Sequence, residues 1–432
     1  MASFSFSFSG DDIEDDGTTN TPQQPSTSGL QTQDAATATS AAPAASAFPV
    51  QGKPQLPPQR HDLKEMLSKL PSKIAYSLLD VTLDSRVDGS GDSVATDAST
   101  ALREAPFRIR LPRRELWDVK VQLMAEEDGD EGGDSNTNGS GELAPGLGTH
   151  DVKTGIYEGG FKSWESSVDL VKVLLQQPST AADSTSTPSP SDVAGTVLLK
   201  DGPAQVIELG CGTALPSLAL FHWACATTSS KDGKTQRSHP LSITVADYNP
   251  SVLYLVTLPN FLLAWALQQR DASPLLQQAL VIDEDGDDDN GELELTDEVK
   301  DAFCAYLASA DLTLSFLSGG WSAEFVDLLY DTATAADATT TTEKPAAHTL
   351  VLGAETIYSP FALETFTITL LSILRREAEA TATAVIGAKK LYFGVGGSLD
   401  DFVQRMRESG ATVNELREEA DGVRRGVVQC VL

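Results

Sequence analysis

Four short stretches hold the residues best suited to do chemistry, and each joins a strand-like run to a helix-like one. The first is Gly210-Cys211-Gly212, inside "VIELGCGTALPSLAL". Glycine lacks a Cβ, so backbone there can approach a ligand closely. Leu215 stands where a dinucleotide fingerprint would place its third glycine, and no Gly-Lys-Ser/Thr follows as in a phosphate loop. A ligand without phosphates suits this turn better. The second stretch, "SITVADYN", ends on Asp247, with Asn249 two residues on. An ionised carboxylate there can accept from two hydroxyls of a ligand. The other reading is a cap on the following helix. The third, "ETIY", places Glu355 and Tyr358 at the end of a further strand. In open α/β sheets the carboxyl ends of the strands line the ligand crevice. The fourth, "SGGWS", carries Gly319 and Trp321, and "WESS" upstream carries Trp164. Each tryptophan either walls the ligand or packs in the core.

These turns need elements to position them. From residue 150 onward strand and helix patterns alternate: "WESSVDLVKVLLQQ" is amphipathic, "AQVIELG" is a buried strand, and "ALPSLALFHWAC" is a helix. "LSITVADYN", "ADLTLSFLSG", "HTLVLGAETIY", "TAVIGAKKLYFGVGG" and "VVQCVL" read as strands separated by helices, one of them interrupted at Pro259. Repeated β-α units predict an α/β fold, a mostly parallel Rossmann-like sheet with helices on both faces. Residues 61–124 read as a short helix, a break at Pro71, and strands. In "FRIRLPRRELWDVKVQLMAEE" the apolar residues Ile109, Leu111, Leu116, Val119, Val121 and Leu123 predict strands packed on the later domain. Residues 1–60 are expected to be a disordered tail, with Phe4, Phe6 and Phe8 an unexplained alternation, and 125–149 a flexible linker. Thr/Ser/Asp-rich inserts fall where loops should lie, and loops tolerate length cheaply. One of them, "DEDGDDDNGELELTDE", invites a calcium reading. Counting from Asp285, however, puts Asn290 at position six and Thr296 at twelve, so the EF-hand pattern fails.

The formal net charge of −31 argues against direct nucleic-acid binding, which needs clustered Lys and Arg. It is compatible with a basic protein partner or with plain solvated loops. The four cysteines, Cys211, Cys225, Cys304 and Cys430, form no metal or disulfide pattern, and the five histidines show no metal spacing. No membrane anchor is expected: there is no secretory signal pattern at the start, and no apolar run reaches the ~18 residues of a membrane span.

S-adenosylmethionine is a ligand that meets the demands of the turn, and "ELGCGT" resembles the first motif of seven-strand methyltransferases. The resemblance implies that backbone from Glu208 to Thr213 lies along the cofactor's methionine and ribose. It also implies that Asp247 holds the ribose hydroxyls. "IYEGGFKSWESSVDL", "IELGCGTALPSLAL", "ADYNPSVLYLVTLPNFLLAW", "FLSGGWSAEF", "ETIYSP" and "KLYFGVGGSLDDF" are similar, in order, to blocks of eukaryotic protein-histidine methyltransferases, the fungal form above all. That family implies methyl transfer from S-adenosylmethionine to a histidine ring nitrogen of a large-subunit ribosomal protein, by a monomer in cytoplasm and nucleus. Glu355 would then orient the imidazole, bordering the cofactor as well, and Tyr358 would wall the acceptor. Trp164, Glu208, Gly210, Gly212, Asp247, Asn249, Gly319 and Trp321 would complete the cofactor site. "ETIY" also marks related protein-lysine methyltransferases. A non-catalytic acidic escort for a basic ribosomal protein is the remaining alternative.

Overall fold

The computed structural model describes residue 52 and residues 54–83, 108–130, 160–176, 204–228, 239–282, 289–331, 348–377, 382–392, 397–420 and 422–432. The phenylalanine alternation near the start, most of the linker, the bulk of the inserts and all but the last residue of the glycine run 394–397 lie outside them.

An eight-stranded sheet forms the centre. In chain order its strands are β1 (Gln59–His61), β4 (Ala204–Leu209), β5 (Leu241–Asp247), β8 (Leu312–Ser318), β9 (His348–Ala354), β10 (Ala382–Lys389), β11 (Thr412–Glu419) and β12 (Arg425–Val431). In space the order is β1-β8-β5-β4-β9-β10-β12-β11. The run from β8 to β10 is parallel, while β1, β12 and β11 pair antiparallel. The chain builds outward from β4 through β5 to β8, then returns to the other side of β4 for β9. That reversal opens a crevice between the carboxyl ends of β4 and β9.

Strands β4 and β9 are apolar on consecutive residues because both faces are covered. On one face Val206 and Leu350 join a core with α3 (Glu165–Leu175) and α4 (Leu215–Thr228). On the other, Ile207 and Val351 meet α8 (Ala323–Tyr330), α9 (Pro360–Arg376) and α10 (Leu399–Glu408).

A second, antiparallel sheet has the order β3-β2-β7-β6. Its strands are β2 (Lys73–Thr82), β3 (Arg108–Arg114), β6 (Leu280–Ile282) and β7 (Asn290–Glu294). It corrects the sequence reading at two points. First, β7 occupies part of the acidic insert, where the alternation of Leu293 and Leu295 buries both. Second, Leu116–Asp130 is a helix (α2) rather than strand. Leu116, Val119 and Leu123 follow helical spacing, and Val119 and Leu123 are buried. Described structure also begins inside the stretch expected to be a disordered tail. Leu56 is buried, and β1 adds an edge strand to the main sheet.

The long helix α5 ties the two sheets together. It comprises Pro250–Val252, a wide π turn at Leu253–Thr257, and Leu258–Gln269. The segment Pro250–Ala272 is apolar and long enough to cross a bilayer, but most of it is buried inside the protein. Pro259 does not end this helix. It lacks an N–H, so the carbonyl four residues earlier loses its helical donor. That carbonyl is Leu255 O, and Arg114 Nη1 of β3 donates to it at 2.8 Å. Arg114 also pairs with Asp118 at 2.7 Å, its own side chain having no solvent exposure. Asn260 completes the link: its Oδ1 accepts the Arg114 N–H at 2.8 Å, and its Nδ2 donates to Thr213 O at 3.0 Å. Thr257 Oγ1 donates to Gly212 O at 2.6 Å.

Asn260→Ala strands a backbone donor on β3 and an acceptor in the glycine turn at once. The expected loss is about 2–4 kcal/mol in urea unfolding, together with weaker ligand binding at the turn. A variant with unchanged midpoint and unchanged binding would show that the link carries no load.

Candidate active site

A cavity of about 320 Å³ opens at the carboxyl ends of β4, β5, β8 and β9. Its wall brings together Trp164, Gly210, Gly212 and Asp247 with Gly319, Trp321, Glu355 and Tyr358. These arrive on separate turns, as the strand order requires. Glu208 and Asn249 do not reach the wall. Glu208 is buried beneath the start of α4, where its Oε2 accepts the Ser217 N–H at 2.9 Å. Burial pushes its carboxyl up to about 7. Asn249 starts α5, with its side chain buried.

The glycine turn is shaped for close approach. Gly210 has φ +66, and a Cβ there would stand 2.6 Å from Thr356 Cγ2. Gly212 has φ +51, and a Cβ would meet Gly160 O at 3.1 Å. Asp247 closes the turn from the side. Its Oδ2 accepts the Gly212 N–H at 3.0 Å and its Oδ1 the Asn249 N–H at 3.1 Å. Capping and ligand binding are therefore compatible, because each carboxylate oxygen keeps a second lone pair. Burial lifts the Asp247 carboxyl to about 6, against the pull of backbone N–H groups.

The chain segment just before β1 walls the cavity beside β8, a contribution the sequence reading placed in a disordered tail. Gln55 lines the cavity. Leu56 N–H donates to the Tyr248 hydroxyl at 3.1 Å, and Gly320 N–H to Leu56 O at 2.8 Å. Gly319 has φ +109, and a Cβ would lie 2.4 Å from Pro57 O, so only glycine lets the two segments touch. Trp321 stands against Phe366, ring centroids 5.3 Å apart. It is thus both a core residue and a cavity wall.

At the opposite end is Glu355, in the left-handed region with φ +56. A non-glycine residue held there stores backbone strain, a pattern that clusters at functional sites. Ser166 Oγ of α3 donates to Glu355 Oε1, and the Tyr392 hydroxyl donates to Oε2 at 2.5 Å. Burial raises the Glu355 carboxyl, opposed by those two hydroxyls and by Lys389. Tyr358 lines the cavity on the side of Asp247 and Tyr248, and burial, then those two groups, push its hydroxyl up to about 12. Ser166, Lys389 and Tyr392 were missed in the sequence. Ser166 lies in "WESS" and reaches Glu355 from α3, while the other two lie in "KKLY" and come to it by the pairing of β10 beside β9.

S-adenosylmethionine fits these residues. The turn leaves room for an unbranched chain, Asp247 offers a carboxylate to a diol, and Trp164 and Trp321 supply aromatic walls. Among the described residues no cluster of His, Cys, Asp and Glu could hold a metal.

No protein-family model matches the chain. Curated relatives do. Histidine protein methyltransferase 1 of Schizosaccharomyces pombe is 29% identical over 366 residues, 84% of this chain and 81% of its own length. The homolog from Rattus norvegicus is 27% identical over 281 residues, 65% of this chain and 58% of the relative. Among solved structures, the human methyltransferase 10 domain containing protein aligns over 63% of this chain and 84% of its own. That alignment is 9% identical with a TM-score of 0.28, and the fold assignment rests on the strand order instead. Histidine protein methyltransferase 1 of Saccharomyces cerevisiae is 34% identical over 300 residues, 68% of each chain, and on that similarity this chain belongs to the histidine protein methyltransferase family.

Proposed function

We propose that this chain transfers a methyl group from S-adenosylmethionine to an imidazole nitrogen of a histidine in a basic protein of the large ribosomal subunit. The observation that carries the chemistry is the acceptor end of the cavity. There a carboxylate is fixed by two hydroxyl donors next to the crevice, with lone pairs left to accept. Histidine needs no strong base. Imidazole has an unperturbed pKa near ~6.5, so its neutral form prevails at neutral pH with a lone pair ready to attack. The family's own acceptor, named in its relatives, is histidine. The ribosomal client is supported by the net charge of −31, which suits a basic partner, and by the sequence resemblance. Such a client is made in the cytoplasm and assembled in the nucleus, so both compartments are proposed.

When bound, the cofactor supplies an electrophilic methyl on a sulfonium. Everything else falls to the chain. Asp247 holds the ribose hydroxyls and the 210–212 turn seats the methionine part. Trp321 and Gly319, with Gln55 packed beside them, would border the adenosine end. Glu355 accepts the N–H of the imidazole nitrogen that does not react. This points the other nitrogen's lone pair along the transfer line, and the carboxylate offsets the positive charge that develops on the ring. Tyr358 limits the acceptor's sideways movement and excludes water. After transfer the methylated ring is a cation, and it gives up the N–H proton that faced Glu355 to solvent water.

The direct test labels ribosomal proteins from cells lacking the gene with purified protein and radiolabelled S-adenosylmethionine, then maps the product by mass spectrometry. The expected product is methylhistidine on one basic protein. Methyllysine, or no label, would overturn the reading.

Asp247 gives a pH signature. The ionised form accepts the ribose hydroxyls, while the free site holds its proton up to about 6. Protons therefore compete with the cofactor, and affinity falls as pH drops through that value. Between about pH 7.5 and pH 5 the loss should be about tenfold by calorimetry, with proton release on binding at the acid end. Asp247→Asn should bind more weakly and flatten the profile. A flat profile in the wild type would remove Asp247 from the contact.

Glu355→Gln keeps the size and the strained backbone but offers one acceptor oxygen to two hydroxyl donors, and no charge. Cofactor affinity should stay within a few-fold, while single-turnover methyl transfer falls by about two orders of magnitude. Near-normal transfer in this variant would leave alignment to Tyr358 and the backbone.

A further inference from the structure

We propose that Lys389 sets the acceptor class: its ammonium group, at the acceptor end of the cavity, turns away a lysine side chain and leaves the place to an uncharged imidazole. This rests on the methyltransferase reading above and gives that reading its selectivity.

Lys389 is the last residue of β10, and β10 lies directly beside β9, whose end carries Glu355. Its Nζ stands 5.4 Å from the centre of the Trp164 ring and 5.6 Å from that of Tyr392. Among the described residues no carboxylate lies within ion-pair distance of it, and the two aromatic faces hold the cation. Lys389 and both rings line the cavity. Its charge acts on Glu355, drawing that carboxyl down, while Glu165 acts the other way.

The charge balance at this end decides what can enter. A lysine acceptor has an unperturbed pKa near ~10.4 and arrives as an ammonium. It would need to sit beside a half-buried cation, where like charges repel more strongly than at the open surface. It would also need to give a proton to a base before attack. The carboxylate in reach already accepts from Ser166 and Tyr392 and already has a cation near it. A neutral imidazole meets none of these penalties. Its methylation moves one positive charge from sulfur to the ring, so the net charge of the pocket is unchanged during the step.

The test uses the peptide around the mapped histidine in two forms, one with His and one with Lys at the acceptor position. Transfer to each is measured as kcat/KM for the wild type, Lys389→Met and Lys389→Arg, alongside cofactor affinity. Lys389→Met should shift the ratio toward lysine at least tenfold, through a rise in lysine transfer. Lys389→Arg keeps the charge and should keep the wild-type preference. A ratio that does not move in Lys389→Met, with cofactor binding intact, overturns the proposal. Equal loss on both peptides overturns it too, because Lys389 would then serve the fold or the donor. A wild type that methylates the lysine peptide as well as the histidine peptide leaves it nothing to explain. If the wild type labels no histidine at all, it is the methyltransferase reading that fails, and the selectivity claim falls with it.

Discussion

The missing N–H of Pro259 is the constraint on which the site's construction depends. In an ordinary helix that defect would be a kink or a stop. Here the helix widens by one π turn, and a buried guanidinium from another sheet takes the freed carbonyl. The same stretch of helix then sends Thr257 and Asn260 to the carbonyls of Gly212 and Thr213. A glycine turn with left-handed residues has a large conformational freedom to lose. Its geometry is therefore imposed from outside, by a helix that is itself clamped by β3. The small sheet is not an appendage in this respect. Its Arg114 and the glycine turn are two hydrogen bonds apart through Asn260.

The two ends of the cavity are built on opposite electrostatic plans. At the cofactor end, burial raises both Glu208 and Asp247, Asp247 raises Glu208 further, and hydrogen bonds from backbone N–H groups, with the Ser217 side chain at Glu208, oppose the rise. Their protonated forms favour the folded state, so their contribution to stability is fullest at acid pH and is lost as pH rises through about 6 and about 7. At the acceptor end, hydroxyl donors and a lysine surround one carboxylate. That end is already close to neutral and suits a neutral nucleophile.

Much of this was legible in the sequence where a residue's role is fixed by local spacing. The strand, glycine turn, helix, strand and Asp247 follow one another along the chain, so their pattern could be read directly. Glu355 could be placed for the same reason, at a strand's end. What could not be read was pairing across the chain. Ser166 and Tyr392 reach Glu355 from α3 and from beyond β10, and nothing in either segment signals the other. The small sheet failed for a related cause: β7 pairs with β2 across more than two hundred residues, and its acidic surroundings masked a two-leucine alternation. Glu208, expected along the cofactor by its backbone, has its side chain beneath α4 instead of on the cavity wall. Consecutive strand residues point to opposite faces, and backbone near a ligand does not bring its side chain there.

The position of the long Ser/Thr/Asp-rich stretches follows from the same architecture. Three of them connect α3 to β4, α4 to β5 and α8 to β9, each between a helix end and a strand start, while the acidic one joins β6 to β7 in the small sheet. In a parallel sheet those three connections lie at the amino ends of the strands, the end away from the crevice. The connections that build the site run the other way, from strand to helix. They are short: Leu209 to Leu215, Asp247 to Pro250, Ser318 to Ala323 and Ala354 to Pro360. Loop length costs little entropy as it grows, so the amino end can absorb insertions. The carboxyl end cannot, because each of its turns is fixed by a hydrogen bond to a neighbouring turn or helix: Gly212 to Asp247, Gly319 to Asp247 and Tyr248, and Glu355 to Gly387. The long connections and the site are thus kept apart by the length of the strands.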